Sequence, residues 1–84
     1  MRYEAIDEAV AVRADFRGGV ITPLAFRRGA REHRLTGVNA RWVDRSGRHP
    51  RFYFSVTDEN GDVYQLQLQS ADLLWWLDSV TLEG

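Results

Sequence analysis

"RFYFSVTDENGDVYQLQLQ", residues 51 to 69, decides the fold. Apolar or aromatic side chains occupy every second position on both sides of Asn60-Gly61, the pattern of a half-buried strand. These positions are Phe52, Phe54 and Val56 before the turn and Tyr64, Leu66 and Leu68 after it. Asn-Gly is the favoured pair for a two-residue type I′ turn. The stretch therefore predicts a β-hairpin that is closed by such a turn.

A second hairpin is predicted upstream of the first. The segments at residues 21–28 and 31–44 are rich in strand-forming residues and flank Gly29-Ala30, so the tip lies near residues 28 to 31. The parity of the apolar residues changes within the second segment. A β-bulge around Thr36-Gly37 explains that change and would bend the strand, as a small barrel requires.

The remaining segments complete an all-β prediction for a single domain, residues 1–84. Residues 9 to 16 are assigned to a strand with a short irregular lead, although the spacing of Tyr3, Ile6 and Val10 also suits a helix. Residues 45 to 51 are too polar for a core and are predicted to form a loop. About six strands joined by short turns indicate a small SH3-like barrel or a strongly bent antiparallel meander.

Composition restricts the class of protein. The chain has 44% hydrophobic and 27% charged residues, as an ordinary globular domain does. No stretch approaches the roughly 18 consecutive apolar residues of a membrane span, and no membrane partner is expected. The absence of cysteine excludes disulfides and thiolate metal sites and suits a reducing compartment. We therefore expect a cytoplasmic protein.

Charge is unevenly distributed along the chain. All eleven basic residues are arginine, and eight of them lie in residues 27 to 51 against two acids, a net charge of +6. Residues 52 to 84 contain six acids and no base, a net charge of −6. The total of −1 therefore does not exclude a basic surface.

The order of several motifs resembles a known family. "DEAVAV", "PLAFRRGAREHRLTGVNARW", "RFYFSV", "GDVYQLQL" and "WWLDSV" follow one another between residues 7 and 80. They resemble a small bacterial domain of unknown function, common in actinobacteria and their GC-rich relatives. It occurs alone or fused behind translesion-polymerase-like proteins, so the resemblance implies a link to DNA repair machinery.

The resemblance also implies which residues are buried. It places these residues in the core: Pro23, Phe26, Trp42, Tyr64, Leu66, Trp75, Leu77 and Val80. Arg28 stands where the family usually has a tryptophan, and His33 replaces an aromatic residue. Trp76 occupies a position that is usually polar. We therefore expect Trp76 to be partly exposed, because adjacent strand residues point to opposite faces.

Exposed tryptophan often marks an interface, and three roles are open for Trp76. It could cap the open end of a barrel, contact a protein or a second copy, or stack on nucleobases. The favoured function is a non-enzymatic binding or adaptor module that uses the Trp76 face. Trp76, Arg28 and His33 are the candidate partner-binding residues.

The first alternative is binding of single-stranded or damaged DNA by the arginine-rich segment, since clustered arginines bind phosphate backbones. Its candidate residues are Arg27, Arg28, Arg31, Arg34, Arg41, Arg45, Arg48 and Arg51. In a meander, however, the tip at residues 28–31 lies beside the acidic turn at residues 58–62, and the loop at 45–51 lies at the other end. A solvated, internally paired charged face is therefore favoured over DNA binding. The second alternative is a structural homo-oligomer subunit.

Catalytic and metal-binding signals are weak. The chain contains no nucleophile elbow, phosphate loop or dinucleotide-binding glycine motif, so we expect no enzymatic activity and no cofactor. His33 and His49 could bind a metal with Glu32 or Asp44, but no ligand motif connects them. His33 is predicted to be a partly buried strand residue and His49 a loop residue.

Overall fold

The computed structural model describes residues 1–83 and has six antiparallel strands that close into a barrel. The strands are β1 (Arg2–Arg17), β2 (Val20–Arg28), β3 (Arg31–Asp44), β4 (Arg51–Asp58), β5 (Val63–Gln69) and β6 (Leu74–Leu82). Each strand pairs with the next, and β6 pairs with β1 to close the barrel. The predicted all-β small barrel is confirmed. Residues 1–83 contain no helix long and apolar enough to cross a bilayer.

Two long strands bend so that each contributes to both sides of the barrel. The first part of β1 pairs with β6 and its second part pairs with β2. Asp7 has a φ of 58° where the register with β6 shifts, and this irregularity obscures the strand pattern in the sequence. The prediction of an irregular lead before residue 9 is therefore wrong, because β1 begins at Arg2.

β3 contains the predicted bulge and a second one. The register with β4 shifts between Leu35 and Gly37, as expected, and again between Val38 and Ala40. The second shift reverses the parity of the rest of β3. As a result Trp42 faces outward and is 42% exposed, so its expected place in the core is wrong.

The first hairpin has a different turn from the predicted one. Glu59 to Asp62 separate β4 from β5, and the amide of Gly61 donates a hydrogen bond of 3.0 Å to the carbonyl of Asp58. A type I′ turn needs positive φ at both central residues, whereas Gly61, with a φ of 85°, is the residue of this turn that has it. The hairpin is confirmed, but its two-residue turn is wrong.

Inward-facing side chains of all six strands fill the barrel. Its buried centre consists of Phe26, Phe54, Val56, Tyr64, Leu66, Leu68, Leu77 and Val80. Trp75 is half-buried and packs against this centre, and its ring lies 5.5 Å from that of Phe54. The hairpin tips place two groups of loops at opposite ends. The β2–β3 and β4–β5 turns form what we call the polar end, and the β3–β4 and β5–β6 connections lie at the loop end.

Candidate functional site

Three aromatic side chains lie in one row on the outside of the barrel. Trp42 is the register partner of Tyr53, Tyr53 of Gln67, and Gln67 of Trp76. We call the surface of these four residues the outer sheet face. The rings of Trp42 and Tyr53 are stacked, with centroids 5.5 Å apart and an interplanar angle of 4°. With strands about 4.8 Å apart, the row extends roughly 14 Å from Trp42 to Trp76.

A hydrogen-bonded amide network crosses the middle of the outer sheet face. Gln67 Nε2 donates to the Asp78 carboxylate at 3.1 Å, and Gln65 Nε2 donates to the same carboxylate at 3.0 Å. Gln69 Nε2 donates to Gln67 Oε1 at 3.2 Å. These bonds fix the side chain of Gln67, which is buried between the two aromatic ends of the row.

Trp76 itself is partly buried, as expected for a residue on the outer sheet face. Its indole nitrogen is buried, and it has no hydrogen-bond acceptor among residues 1–83. Buried polar groups are normally paired, so this donor is an exception within the face. Trp42, at the other end of the row, is the more accessible tryptophan.

The eight arginines of residues 27 to 51 do not form one surface. Arg27, Arg28, Arg31 and Arg34 lie near the polar end, whereas Arg45, Arg48 and Arg51 lie at the loop end. Arg41 lies on β3, three residues before the strand ends at the loop end. Its guanidinium donates to the carbonyl of Ile21 at 3.3 Å and to the hydroxyl of Thr22 at 3.2 Å. Within residues 1–83, the loop-end arginines make no ion pair shorter than 4.0 Å.

A buried polar cluster lies inside the polar end. Asp58 is 2% exposed, and its carboxylate accepts hydrogen bonds from the amides of Asn60 and Asp62 and from the phenol of Tyr64. His33 Nδ1 lies 3.4 Å from Asp58 Oδ2 and 3.4 Å from the Tyr64 oxygen. The imidazole also stacks on Phe26, with centroids 4.7 Å apart. Burial and the Asp58 carboxylate raise the pKa of the Tyr64 phenol.

Two members of the polar cluster, His33 and Tyr64, line a cleft of about 240 Å³, and Arg28 lines it as well. Arg28 Nε donates to Glu8 at 2.9 Å, and this hydrogen bond raises the pKa of the guanidinium. Both side chains of the pair are nearly half exposed, so water screens it and its contribution to stability is small. The arginine at the tip is thus neutralised from β1 rather than from the acidic turn.

The candidate partner-binding residues do not share one surface. Arg28 and His33 lie together in the cleft at the polar end, whereas Trp76 lies on the outer sheet face. His33 is a partly buried strand residue, as predicted, with a side chain 11% exposed, and His49 lies in the β3–β4 loop. Within residues 1–83, no group of three or more histidine, aspartate or glutamate side chains is arranged to hold a metal ion.

Two features were not singled out from the sequence. Asp58 continues the inward parity of Phe54 and Val56 and precedes a turn, a position that aspartate favours, so its burial had a signal. No sequence pattern indicated the contact of Arg41 with Ile21, because this contact depends on the second bulge of β3. No protein-family model, curated protein or solved structure matches the chain.

Proposed function

We propose that the chain is a non-enzymatic cytoplasmic binding module that contacts a protein partner, or a second copy of itself, through the outer sheet face. The observation that carries this proposal is the common row of Trp42, Tyr53 and Trp76 on the outer side of a filled barrel. Tyrosine and tryptophan are enriched where proteins bind one another, and they supply large contact area at a low cost in conformational entropy.

The charges on this face favour a protein over a nucleic acid. The Asp78 carboxylate accepts hydrogen bonds from Gln65 and Gln67 in the middle of the row and would repel a phosphate there. The arginines near the polar end are separated from those at the loop end by the length of β3. A phosphate backbone would therefore find no continuous basic track along the eight arginines.

The resemblance described above supports a connection to DNA repair machinery, because the similar domain is found fused behind translesion-polymerase-like proteins. A domain that binds a neighbouring protein and catalyses no reaction is consistent with such a fusion. The lack of cysteine in the chain supports the cytoplasmic setting.

Site-specific photo-crosslinking in the cells of origin tests this function. A benzophenone side chain at Gln69, next to the row, should give a discrete crosslinked protein or dimer, and Trp42→Ala should remove that product. The matched control is the same probe at Tyr3, which is 66% exposed on β1 and lies outside both the row and the cleft. Equal products at both positions, or none at Gln69, would contradict the proposal.

A second candidate function is binding of single-stranded nucleic acid at the loop end. Arg45, Arg48 and Arg51 follow Trp42 closely in the chain, and within residues 1–83 they make no ion pair shorter than 4.0 Å. Arginines beside an exposed aromatic pair are typical of surfaces that bind single strands.

Titration with single-stranded DNA at low and moderate salt, followed by tryptophan fluorescence, distinguishes the two functions. An affinity, measured by quenching, that falls log-linearly with salt and is weakened by Arg48→Gln, which keeps every tryptophan, would establish nucleic-acid binding and overturn the protein-contact proposal. An absence of binding at low salt would exclude the second candidate. An apolar protein contact should respond little to salt.

A further inference from the structure

The barrel has an open seam between β2 and β3. Backbone pairing of these strands covers Ala25 to Arg28 and Arg31 to Arg34 and extends no further along either strand. Beyond it, Val20–Pro23 of β2 pairs with β1 alone, and Gly37–Asp44 of β3 pairs with β4 alone. These two segments, which we call the seam, therefore present strand edges to each other without hydrogen bonding as strands.

Arg41 bridges the seam with its side chain. Its hydrogen bond to the carbonyl of Ile21 shows that this carbonyl points toward β3. In a strand, the N–H and C=O of one residue point to the same side, and those of the residue two positions on point there as well. The Ile21 amide and the carbonyl of Pro23 therefore also face the seam. Proline is tolerated in strands at such edges, because it has no N–H to leave unpaired. The β2 edge is thus available for pairing where Arg41 does not occupy it.

An apolar cleft opens along the seam. Its volume is about 250 Å³, and Ile21, Phe52 and Phe54 are among the residues that line it. Val20 and Val43 at its rim are 49% and 40% exposed. Apolar side chains from an incoming strand would find both a floor and a rim here.

The charged residues at the loop end indicate which kind of segment would bind in the seam. Five arginines surround this end of the barrel against three aspartates: Arg17, Arg41, Arg45, Arg48 and Arg51, with Asp15, Asp44 and Asp72. Asp15 lies 3.7 Å from Arg17. Asp44 and Asp72 accept hydrogen bonds from the amides of Ser46 and Leu74. These carboxylates keep their charge, and Asp44 lies opposite Arg51 in the register of β3 and β4. The five arginines still exceed the three aspartates by two charges, and this excess is complementary to an acidic segment.

We propose that the seam captures an extended peptide segment of a partner protein, which adds a strand between β2 and β3. Its amide groups pair with the free edges, and alternate apolar side chains enter the cleft. An acidic side chain of the peptide binds the Arg41 guanidinium, which then gives up its hydrogen bond to the carbonyl of Ile21. The guanidinium then gains an ion pair with a planar carboxylate, which it can bind through two parallel hydrogen bonds, as it cannot bind a single carbonyl oxygen. Trp42 and Tyr53 line this cleft as well as the outer sheet face, so the two sites adjoin there. Gln67 and Trp76 belong to the outer sheet face alone and distinguish the two sites, and strand capture does not depend on the function proposed for that face.

Selection of peptides from a random dodecapeptide phage library on the immobilised full chain tests the seam. We expect enriched sequences that alternate apolar residues and contain an aspartate or glutamate. Synthetic copies should protect the Ile21 amide from hydrogen exchange. Failure to enrich peptides, or enrichment of basic sequences, would overturn the proposal. So would exchange or chemical-shift changes confined to Gln67 and Trp76, which would assign the peptides to the outer sheet face.

Two variants identify the contact. Arg41→Gln keeps a donor for Ile21 but removes the charge, and it should weaken the selected peptides about tenfold. Val20→Glu places a like charge at the rim and should weaken them as well. Arg34→Gln, at an exposed position near the other end of β3, is the matched control and should leave binding unchanged. Equal peptide affinity for Arg41→Gln, Val20→Glu and wild type would contradict strand capture. Trp76→Phe, on the outer sheet face, should leave the peptide affinity unchanged.

Discussion

The phenol of Tyr64 donates a hydrogen bond of 3.0 Å to the carboxylate of Asp58 inside the barrel. The same carboxylate accepts the amides of Asn60 and Asp62, so it connects the β4–β5 turn to the core. Removing one partner from a buried polar cluster leaves the others without hydrogen bonds, which costs more than the bond itself is worth. Asp58 is therefore a structural centre of the polar end.

Asp58→Ala should lower the free energy of unfolding by about 3 kcal/mol, because it leaves two amides and a phenol unpaired. Urea denaturation followed by tryptophan fluorescence measures this loss. Glu59→Ala changes the next residue, which is exposed, and should stay within about 0.5 kcal/mol of wild type. Equal stability of the two variants would mean that water satisfies the turn without the carboxylate.

The raised pKa of the Tyr64 phenol predicts a loss of stability in alkali. Folding favours the neutral phenol, so the stabilisation is complete below the unfolded pKa of about 10 and is lost as the pH rises above it. The free energy of unfolding should fall by at most about 1.4 kcal/mol per pH unit there. Urea denaturation at a series of pH values should show a shallower alkaline decline in Tyr64→Phe than in wild type. The same slope in both proteins would show that Tyr64 does not cause the decline.

Gly61 and Gly37 form a matched pair for testing backbone strain. Gly61 has a φ of 85°, and a Cβ there would meet only the Glu83 side chain at ordinary distances, with Cγ at 3.8 Å. A Cβ at Gly37 would meet nothing within 4 Å, and this residue lacks a positive φ. Gly61→Ala should therefore cost about 1 kcal/mol through the backbone alone, whereas Gly37→Ala should be neutral or slightly stabilising. Thermal unfolding of both variants distinguishes backbone strain from crowding, and a larger loss at Gly37 would contradict this account.

The sequence predicted those parts of the fold that depend on local alternation and turn residues. The two hairpins, the bulge at Thr36-Gly37 and six strands follow from period-2 patterns interrupted by glycine. The second bulge, near Asn39, has no glycine to mark it, and it decides that Trp42 faces outward. One unmarked residue therefore moved a tryptophan from the predicted core to the surface.

The candidate surfaces were less predictable, because they depend on register across several strands. Trp42 and Trp76 are 34 positions apart in the chain, yet β4 and β5 align them in one row. The seam depends on where β2 and β3 cease to pair, which no local pattern encodes. The burial of Asp58 could be predicted from the alternation along β4, but its contact with His33 depends on the register between strands.

Because the indole nitrogen of Trp76 is unpaired, a substitution at this residue can distinguish a role in stability from a role in binding through the outer sheet face. Trp76→Phe removes a buried donor that has no acceptor among residues 1–83 while keeping an aromatic ring in the row. The gain from removing that donor opposes the loss of apolar contact, so the free energy of unfolding should change by less than about 1 kcal/mol. Binding through the face should weaken far more, because an aromatic contact loses area and shape. Urea denaturation and the yield of the Gln69 photo-crosslink measure the two effects. A variant that loses stability and crosslinking in proportion would show that Trp76 acts by holding the sheet together rather than by touching a partner.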